Sequence, residues 1–139
     1  MNATAVAPSN IAFTKYWGKK DEVLRLPENG SISMCLSNLL TTTTVEFSEK
    51  FTKDTLILNG KTPKDIELER VVKHLDRTRK MANIKQKAKV VSKNNFPIAV
   101  GLSSTASGFA ALTLAASKAA GLNLSQKDLS ILARQASGS

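Results

Sequence analysis

The sequence predicts an α+β fold with a mixed sheet and with the two larger helices on one face of that sheet. Three observations lead to this prediction. The first 60 residues read as short strand-like segments, one long amphipathic helix follows them, and a further strand then precedes two helices. The 139 residues suffice for one domain with one core. A mean hydropathy of −0.14 fits a globular chain.

The strand-like segments at the start of the chain show alternation and β-branched residues. Residues 3–19, ATAVAPSNIAFTKYWGK, predict two short strands broken at Pro8. A turn over Pro27 to Gly30 leads into a strand with Ile32, Met34 and Leu36 on one face. Residues 39–51, LLTTTTVEFSEKF, predict a further strand.

The next segments combine a turn signal with a capped helix. Residues 54–61, DTLILNGK, predict a strand that ends at the turn Asn59-Gly60. We expect the long helix to begin with Thr62 as N-cap, Pro63 at the first position and Asp65 at the third. Its apolar face consists of four residues at helical spacing: Leu68, Val71, Val72 and Leu75.

The last third of the chain predicts one strand and two helices. Residues 87–96, KAKVVSKNNF, form the strand, and a helix runs from near Ser104 to Ala120 with Gly121 after its end. The last helix starts at Ser125, which Asp128 helps to cap. Its buried residues are predicted to be Leu129, Leu132 and Ala133.

The amino-acid composition disfavours several classes of protein and of site. Residues 50–93 carry 13 Lys and Arg against 5 Asp and Glu, which is +8 of the net charge of +9. Such a block attracts polyanions, but it contains a single aromatic residue, Phe51, so base stacking is not favoured. One cysteine and one histidine, Cys35 and His74, exclude an intrachain disulfide and argue against structural zinc. We expect Cys35 to be a small core residue, His74 to lie on the polar face of its helix, and the location to be cytoplasmic.

The junction between the last strand and the helix after it is neutral and rich in small hydroxyl residues. Gly101 permits a close approach by a ligand, and Ser103, Ser104 and Thr105 add hydroxyl donors at a helix N-terminus, which favours anions. Neither a Walker A loop nor a dinucleotide fingerprint is present. The local pattern therefore fits a phosphate-binding loop and a serine-capped, closely packed helix equally well.

Three stretches of the chain carry a resemblance to a known family. The pattern Pro97-x-x-x-Gly101-Leu102-Ser103-Ser104-x-Ala106 resembles the phosphate loop of the galactokinase, homoserine kinase, mevalonate kinase and phosphomevalonate kinase superfamily. Residues 7–33, APSNIAFTKYWGKKDEVLRLPENGSIS, are similar to the N-terminal signature of the diphosphomevalonate decarboxylases. Residues 133–139, ARQASGS, resemble the start of that family's Gly-Ser-Gly-Ser stretch, with Ala136 where glycine is usual. The resemblance is weakest over residues 61–92.

The resemblance implies a two-lobed enzyme whose N-terminal lobe has a fold like the second domain of ribosomal protein S5. Such an enzyme uses ATP and Mg²⁺ to convert mevalonate 5-diphosphate to isopentenyl diphosphate in the mevalonate pathway of isoprenoid and sterol biosynthesis, and it releases ADP, phosphate and CO₂. We expect residues 1–139 to be its ATP- and substrate-binding lobe without the C-terminal lobe, and to be inactive alone. The resemblance implies that the family's catalytic aspartate and substrate arginine lie beyond Ser139.

The resemblance also implies roles for individual residues. Lys15 is the catalytic cation beside the reacting hydroxyl, Tyr16 and Lys19 bind the substrate diphosphate, and Ser137 and Ser139 contact substrate from the facing wall. The ATP phosphates are bound by the loop residues Pro97, Gly101, Leu102, Ser103, Ser104, Thr105 and Ala106. Thr105 stands where the family usually has serine. No residue of the chain is expected to bind a metal.

Each of these residues also has an ordinary structural interpretation. Lys15 and Lys19 could be surface lysines beside a strand, Tyr16 a sheet aromatic, and Ser137 and Ser139 a helix cap and a tail. The occurrence of three motifs in one chain favours the functional roles.

Other functions remain open from the sequence alone. They are a phosphomevalonate decarboxylase, a mevalonate 3-kinase and, outside enzymes, a small basic RNA-binding module with steeply salt-dependent binding. We expect small-molecule partners only, with no nucleic acid and no membrane, and a homodimer of the full-length enzyme.

Overall fold

A computed structural model of the chain describes residues 1–14, 18–27, 30, 32–97 and 104–137. These residues form six strands and three helices in the α+β order that the sequence predicts. The strands are β1 (Asn2–Thr14), β2 (Lys19–Asp21), β3 (Leu26–Pro27), β4 (Ile32–Ser48), β5 (Thr55–Leu58) and β6 (Lys87–Asn94). The helices are α1 (Asp65–Ala82), α2 (Ser104–Ala119) and α3 (Gln126–Ala136).

The main sheet has four strands in the order β1-β4-β6-β5. β1 pairs with β4 and β4 with β6 in antiparallel fashion, whereas β5 and β6 are parallel. The parallel pair needs a crossover, which α1 supplies. The predicted mixed sheet is therefore confirmed, and β2 and β3 form a separate small hairpin.

Pro8 does not break the first strand, contrary to the prediction. β1 runs through it, and the register with β4 changes at this place, since Pro8 lies opposite Leu40 and Ser9 opposite Leu36. Because β1 is an edge strand, a residue without an N–H is tolerated in it. The two strands expected within residues 32–51 are likewise one continuous strand, β4.

The paired segments Ser9–Thr14 of β1 and Ile32–Leu36 of β4 extend past the end of β6 as a two-stranded ribbon. Ile32 and Met34 do lie on one face of β4, as predicted, but this face of the ribbon is exposed. The hydrophobic face of the ribbon therefore contributes no core to the described part of the chain.

The core lies between the main sheet and the helices. Alternate residues of the strands, such as Val45, Phe47 and Val90, are buried on the same side. The alanine-rich face of α2 packs against β1 and β4, while α1 packs against β5 and α2. Both larger helices therefore cover one face of the sheet, which confirms the prediction.

The start of α1 differs from the prediction. Lys64, with an extended backbone, is the N-cap instead of Thr62, and the Glu67 carboxylate accepts the Lys64 N–H at 3.1 Å. Pro63 precedes the cap, so the helix begins two residues later than expected. The acidic residue at the third helical position is Glu67 instead of Asp65, and it supplies the acceptor of the reciprocal capping bond.

Cys35, expected in the core, is exposed, and His74, expected on the polar face of its helix, is buried. Cys35 is exposed on the ribbon, beyond the part of β4 that pairs with β6. His74 is fully buried on α1, where its Nε2 lies 2.8 Å from the Thr113 hydroxyl of α2 and its ring meets Phe109 edge-on. Both expectations were wrong, since each depended on a neighbour distant in sequence.

The other helix boundaries agree with the sequence. Ser125 accepts the Asp128 N–H at 3.1 Å at the start of α3, where Leu132 is buried and Leu129 and Ala133 are half-buried. Asn59 and Gly60 both have positive φ in the turn after β5. Within the described residues, no helix is both long and apolar enough to cross a bilayer.

Candidate functional site

The predicted phosphate-binding junction connects β6 to α2. β6 ends at Asn94, α2 begins at Ser104, and Pro97 and Thr105 are exposed on the two sides of the junction. The N–H groups of the first helical turn have no intrahelical partner, and the helix dipole makes this end electropositive. The predicted residues Gly101, Leu102 and Ser103 lie outside the described part of the chain.

A cavity of about 140 Å³ opens beside the start of α2. Its apolar lining comes from β5, β6 and α2 and includes Leu58, Val90 and Phe109. Its polar lining includes Asn94 at the end of β6 and Thr105 in the first turn of α2. Glu67 and Arg70 of α1 also line the cavity. A cavity with both apolar and polar lining suits a small ligand that has an apolar part and a polar part.

Arg70 of α1 forms one wall of this cavity, and sequence reasoning did not single it out. Its guanidinium carbon lies 5.1 Å from the centroid of the Phe109 ring, and its Nη2 donates to the carbonyl oxygen of Ala136 at 3.2 Å. Arg70 therefore joins the cavity to the C-terminal end of α3. The residue lies in the segment where the family resemblance is weakest, and no local motif marks it.

The end of α3 leads to the serines that were expected to contact substrate. Ser137 is the C-cap, with its N–H donating to the carbonyl of Ala133 at 3.0 Å, and it is half-buried. Ala136, where the family usually has glycine, is buried. Ser139 lies outside the described residues.

Lys19 begins β2 in the small hairpin. Its Nζ lies 3.2 Å from a carboxylate oxygen of Glu22 in an exposed ion pair. A hydrogen bond joins the turn of the hairpin to α3, since Arg134 Nε donates to the carbonyl oxygen of Leu24 at 3.2 Å. The structure thus brings the hairpin of Lys19 to the helix that ends at Ser137. Lys15 and Tyr16 lie outside the described residues.

Among the described residues, no group of three or more His, Cys, Asp or Glu side chains could hold a metal ion. A magnesium ion bound mainly through nucleotide phosphates needs no such cluster.

Three comparisons place the chain among known proteins. A family model described as the diphosphomevalonate decarboxylase-like N-terminal domain matches residues 7–139. The diphosphomevalonate decarboxylase of Candida albicans is 46% identical over 151 residues, which cover 99% of this chain and 41% of that protein. The chain thus spans about two fifths of the length of this relative.

Solved structures agree with the sequence comparisons. Mevalonate diphosphate decarboxylase from Staphylococcus aureus superimposes with a TM-score of 0.93 at 46% identity, over 99% of this chain and 41% of that one. A second structure, MDDEF in complex with MVAPP, AMPPCP and magnesium, gives a TM-score of 0.92 at 46% identity, over 99% of this chain and 42% of that one.

Proposed function

We propose that residues 1–139 are the ATP- and substrate-binding lobe of a decarboxylase of the mevalonate pathway, because this chain belongs to the diphosphomevalonate decarboxylase-like family. The complete enzyme converts mevalonate 5-diphosphate to isopentenyl diphosphate and releases ADP, phosphate and CO₂. The observation that carries the proposal is the electropositive start of α2, which opens onto the apolar cavity.

The nucleotide occupies the cavity and the junction together in this proposal. The base packs against the apolar lining near Leu58 and Phe109, and the phosphates lie at the start of α2 against the loop residues 101–106. The exposed Thr105 supplies a hydroxyl donor, and Pro97 marks the other side of the junction. Magnesium binds through the phosphates. A related structure is a complex with MVAPP, AMPPCP and magnesium, which supports the use of this ion.

The mevalonate ligand lies on the side of the small hairpin. Lys19 binds the diphosphate together with Tyr16, and Ser137 and Ser139 contact the ligand from the end of α3. The present partner of Lys19 is Glu22 in an exposed ion pair, which contributes little free energy in water. A diphosphate, with more negative charge than one carboxylate, displaces Glu22 at small cost.

The chemistry proceeds in two steps. The tertiary C3 hydroxyl of the substrate gives its proton to a general base, the role expected of the family's catalytic aspartate, and its oxygen attacks the γ-phosphorus of ATP, which forms the C3–O–P linkage and releases ADP. The C3–O bond then breaks with loss of phosphate, and the electron pair of the C–CO₂⁻ bond forms the double bond as CO₂ leaves. Lys15 stabilises the charge on the transferred phosphoryl group by its ammonium.

Calorimetry with two variants and a control tests the proposal. Lys19→Ala weakens mevalonate 5-diphosphate binding and spares ATP, whereas Ser104→Ala weakens ATP binding and spares the diphosphate. Lys20→Ala is the matched control, since Lys20 is the adjacent exposed lysine of the same hairpin. Equal losses in the Lys19 and Lys20 variants, or no binding of either ligand by the unsubstituted chain, would contradict the proposal.

Turnover is measured in parallel as phosphate release from ATP in the presence of mevalonate 5-diphosphate. We expect residues 1–139 to bind both ligands without turnover, since the expected aspartate is not among them. Release at the rate of a full-length relative would show that the assignment of the catalytic groups is wrong.

A further inference from the structure

Asn95 is the first residue after β6, where the main chain leaves the sheet. Its backbone N–H donates to the carbonyl oxygen of Leu40 at 3.0 Å, and its Oδ1 accepts the N–H of Leu40 at 2.8 Å. In an antiparallel ladder, a backbone carbonyl would accept that N–H. The side-chain amide of Asn95 takes the place of the carbonyl, so the ladder gains one step while the backbone turns toward Pro97.

The other end of the same amide reaches further along β4. Nδ2 of Asn95 donates to the carbonyl oxygen of Asn38 at 3.0 Å. Asn38 belongs to the three residues of β4, 37–39, that lie opposite no residue of β1. Asn95 therefore links the end of β6 to the place where the β1–β4 register changes and the ribbon begins.

The same part of β4 is also hydrogen-bonded to the first turns of α2. The hydroxyls of Thr41 and Ser107 share a hydrogen bond of 2.7 Å, and both side chains are buried. We call residues 38–41 of β4 the joint. The joint contacts the chain on both sides of the predicted phosphate-binding residues, through Asn95 before them and through Ser107 after them.

The joint is also the base of the ribbon. The β1 strand of the ribbon ends at Thr14, next in sequence to Lys15. We propose that Asn95 is a positioning residue: through Asn38 and Leu40 it holds the end of β6, where the chain leaves the sheet toward Pro97, in a fixed relation to the base of the ribbon. This inference rests on the proposed function, because it assigns one ligand to each side of the joint.

The first test needs no ligand. Cys35 is the one cysteine of the sequence and is exposed on the ribbon, so a spin label attached there reports the ribbon's position. A second label at Lys118→Cys, which is exposed near the end of α2, provides the reference. We expect Asn95→Ala to broaden the distribution of distances between the two labels, and Asn95→Asp, which keeps an acceptor for Leu40, to broaden it less.

The second test measures ligands by calorimetry. Asn95→Ala weakens both MgATP and mevalonate 5-diphosphate about ten-fold, because both sides of the joint lose their fixed geometry. Lys19→Ala and Ser104→Ala, in contrast, each weaken one ligand. Asn2→Ala is the control for both tests, since Asn2 is an exposed asparagine at the opposite end of β1.

The outcomes separate the inference from the proposed function. If the unsubstituted chain binds neither ligand, the proposed function fails, and the label distances alone decide whether Asn95 fixes the ribbon. If Asn95→Ala lowers the thermal unfolding midpoint but leaves the distances and both affinities unchanged, the residue is merely structural and the inference is wrong.

Discussion

At the scale of single residues, His74 shows how far a local pattern can mislead. Thr113 donates its hydroxyl proton to the carbonyl of Phe109 at 2.6 Å, so its oxygen accepts from His74 Nε2, and the ring is the neutral Nε2–H tautomer. Burial, followed by the nearby charge of Arg77, lowers the pKa of His74 from 6.5 to about 4. The fold thus selects the neutral imidazole.

This pKa shift predicts a loss of stability in mild acid. Between pH 6.5 and about 4 the unfolded chain binds a proton at position 74 that the folded chain does not, so the free energy of unfolding falls as the pH is lowered. We expect proton binding at this position to lower the free energy of unfolding by up to about 3 kcal/mol across the window. Urea unfolding at pH 7.5, 6, 5 and 4 measures it.

His74→Gln is the control for the pH experiment. It removes the titrating group and keeps an amide donor for Thr113, so we expect it to flatten the pH dependence in this window, whatever its stability at pH 7.5. Parallel pH profiles for the two proteins would show that His74 is not responsible.

At the scale of elements, α2 ends as its sequence predicts. Gly121 has a φ of 78°, its N–H donates to the carbonyl of Lys118, and the N–H of Leu122 donates to that of Ser117. These two bonds are a Schellman motif, which satisfies carbonyls that the helix leaves open. The left-handed backbone at its centre is the reason that glycine stands there.

Two glycine substitutions, one inside α2 and one just after its end, should have opposite effects on stability. Neither Gly121 nor Gly108 has any atom within 4 Å of an added Cβ, so backbone conformation decides both results. Gly121→Ala should cost about 1–2 kcal/mol, because it forces a left-handed alanine. Gly108→Ala, inside the helix, should raise the free energy of unfolding by about 0.5–1 kcal/mol.

Urea unfolding of the two glycine variants checks this prediction. A stabilised Gly121→Ala protein would mean that residue 121 does not adopt a left-handed conformation at the end of α2.

At the scale of the whole molecule, the buried apolar surface is concentrated on one side of the sheet. Leu75 of α1 is fully buried there, whereas Phe13 and Met34 of the ribbon are 67% and 51% exposed. Apolar residues alternate along β4 both in the ribbon and in its buried part, which contains Val45 and Phe47, so the pattern alone does not distinguish them.

We therefore expect hydrophobic residues of the ribbon and of the core to differ in their contribution to stability. Phe13→Ser and Met34→Ser should each change the free energy of unfolding by less than about 0.5 kcal/mol. Leu75→Ala should cost about 2–5 kcal/mol, because it leaves a cavity under α1. Urea unfolding of the three variants compares them directly, and equal losses would show that the ribbon is part of the folded core.

The sequence by itself determined the order of strands and helices, the C-terminal end of α2, the N-cap of α3, the Asn59-Gly60 turn and the neutral junction before α2. These features depend on residues within a few positions of one another, so their signals are local. The resemblance to the decarboxylase family also came from contiguous motifs, and the comparisons confirm it. The expected roles of Lys15, Lys19 and the loop residues stay predictions.

Only the tertiary structure decided the burial of His74, the exposure of Cys35, the continuity of β1 through Pro8, and the cavity beside Arg70. The bond from His74 reaches Thr113, 39 residues away, and that from Asn95 reaches Asn38, 57 residues away. Burial and long-range hydrogen bonds depend on which elements the fold brings together. The residues beside each position in the sequence carry little information about those partners, which is the physical reason that the sequence left them open.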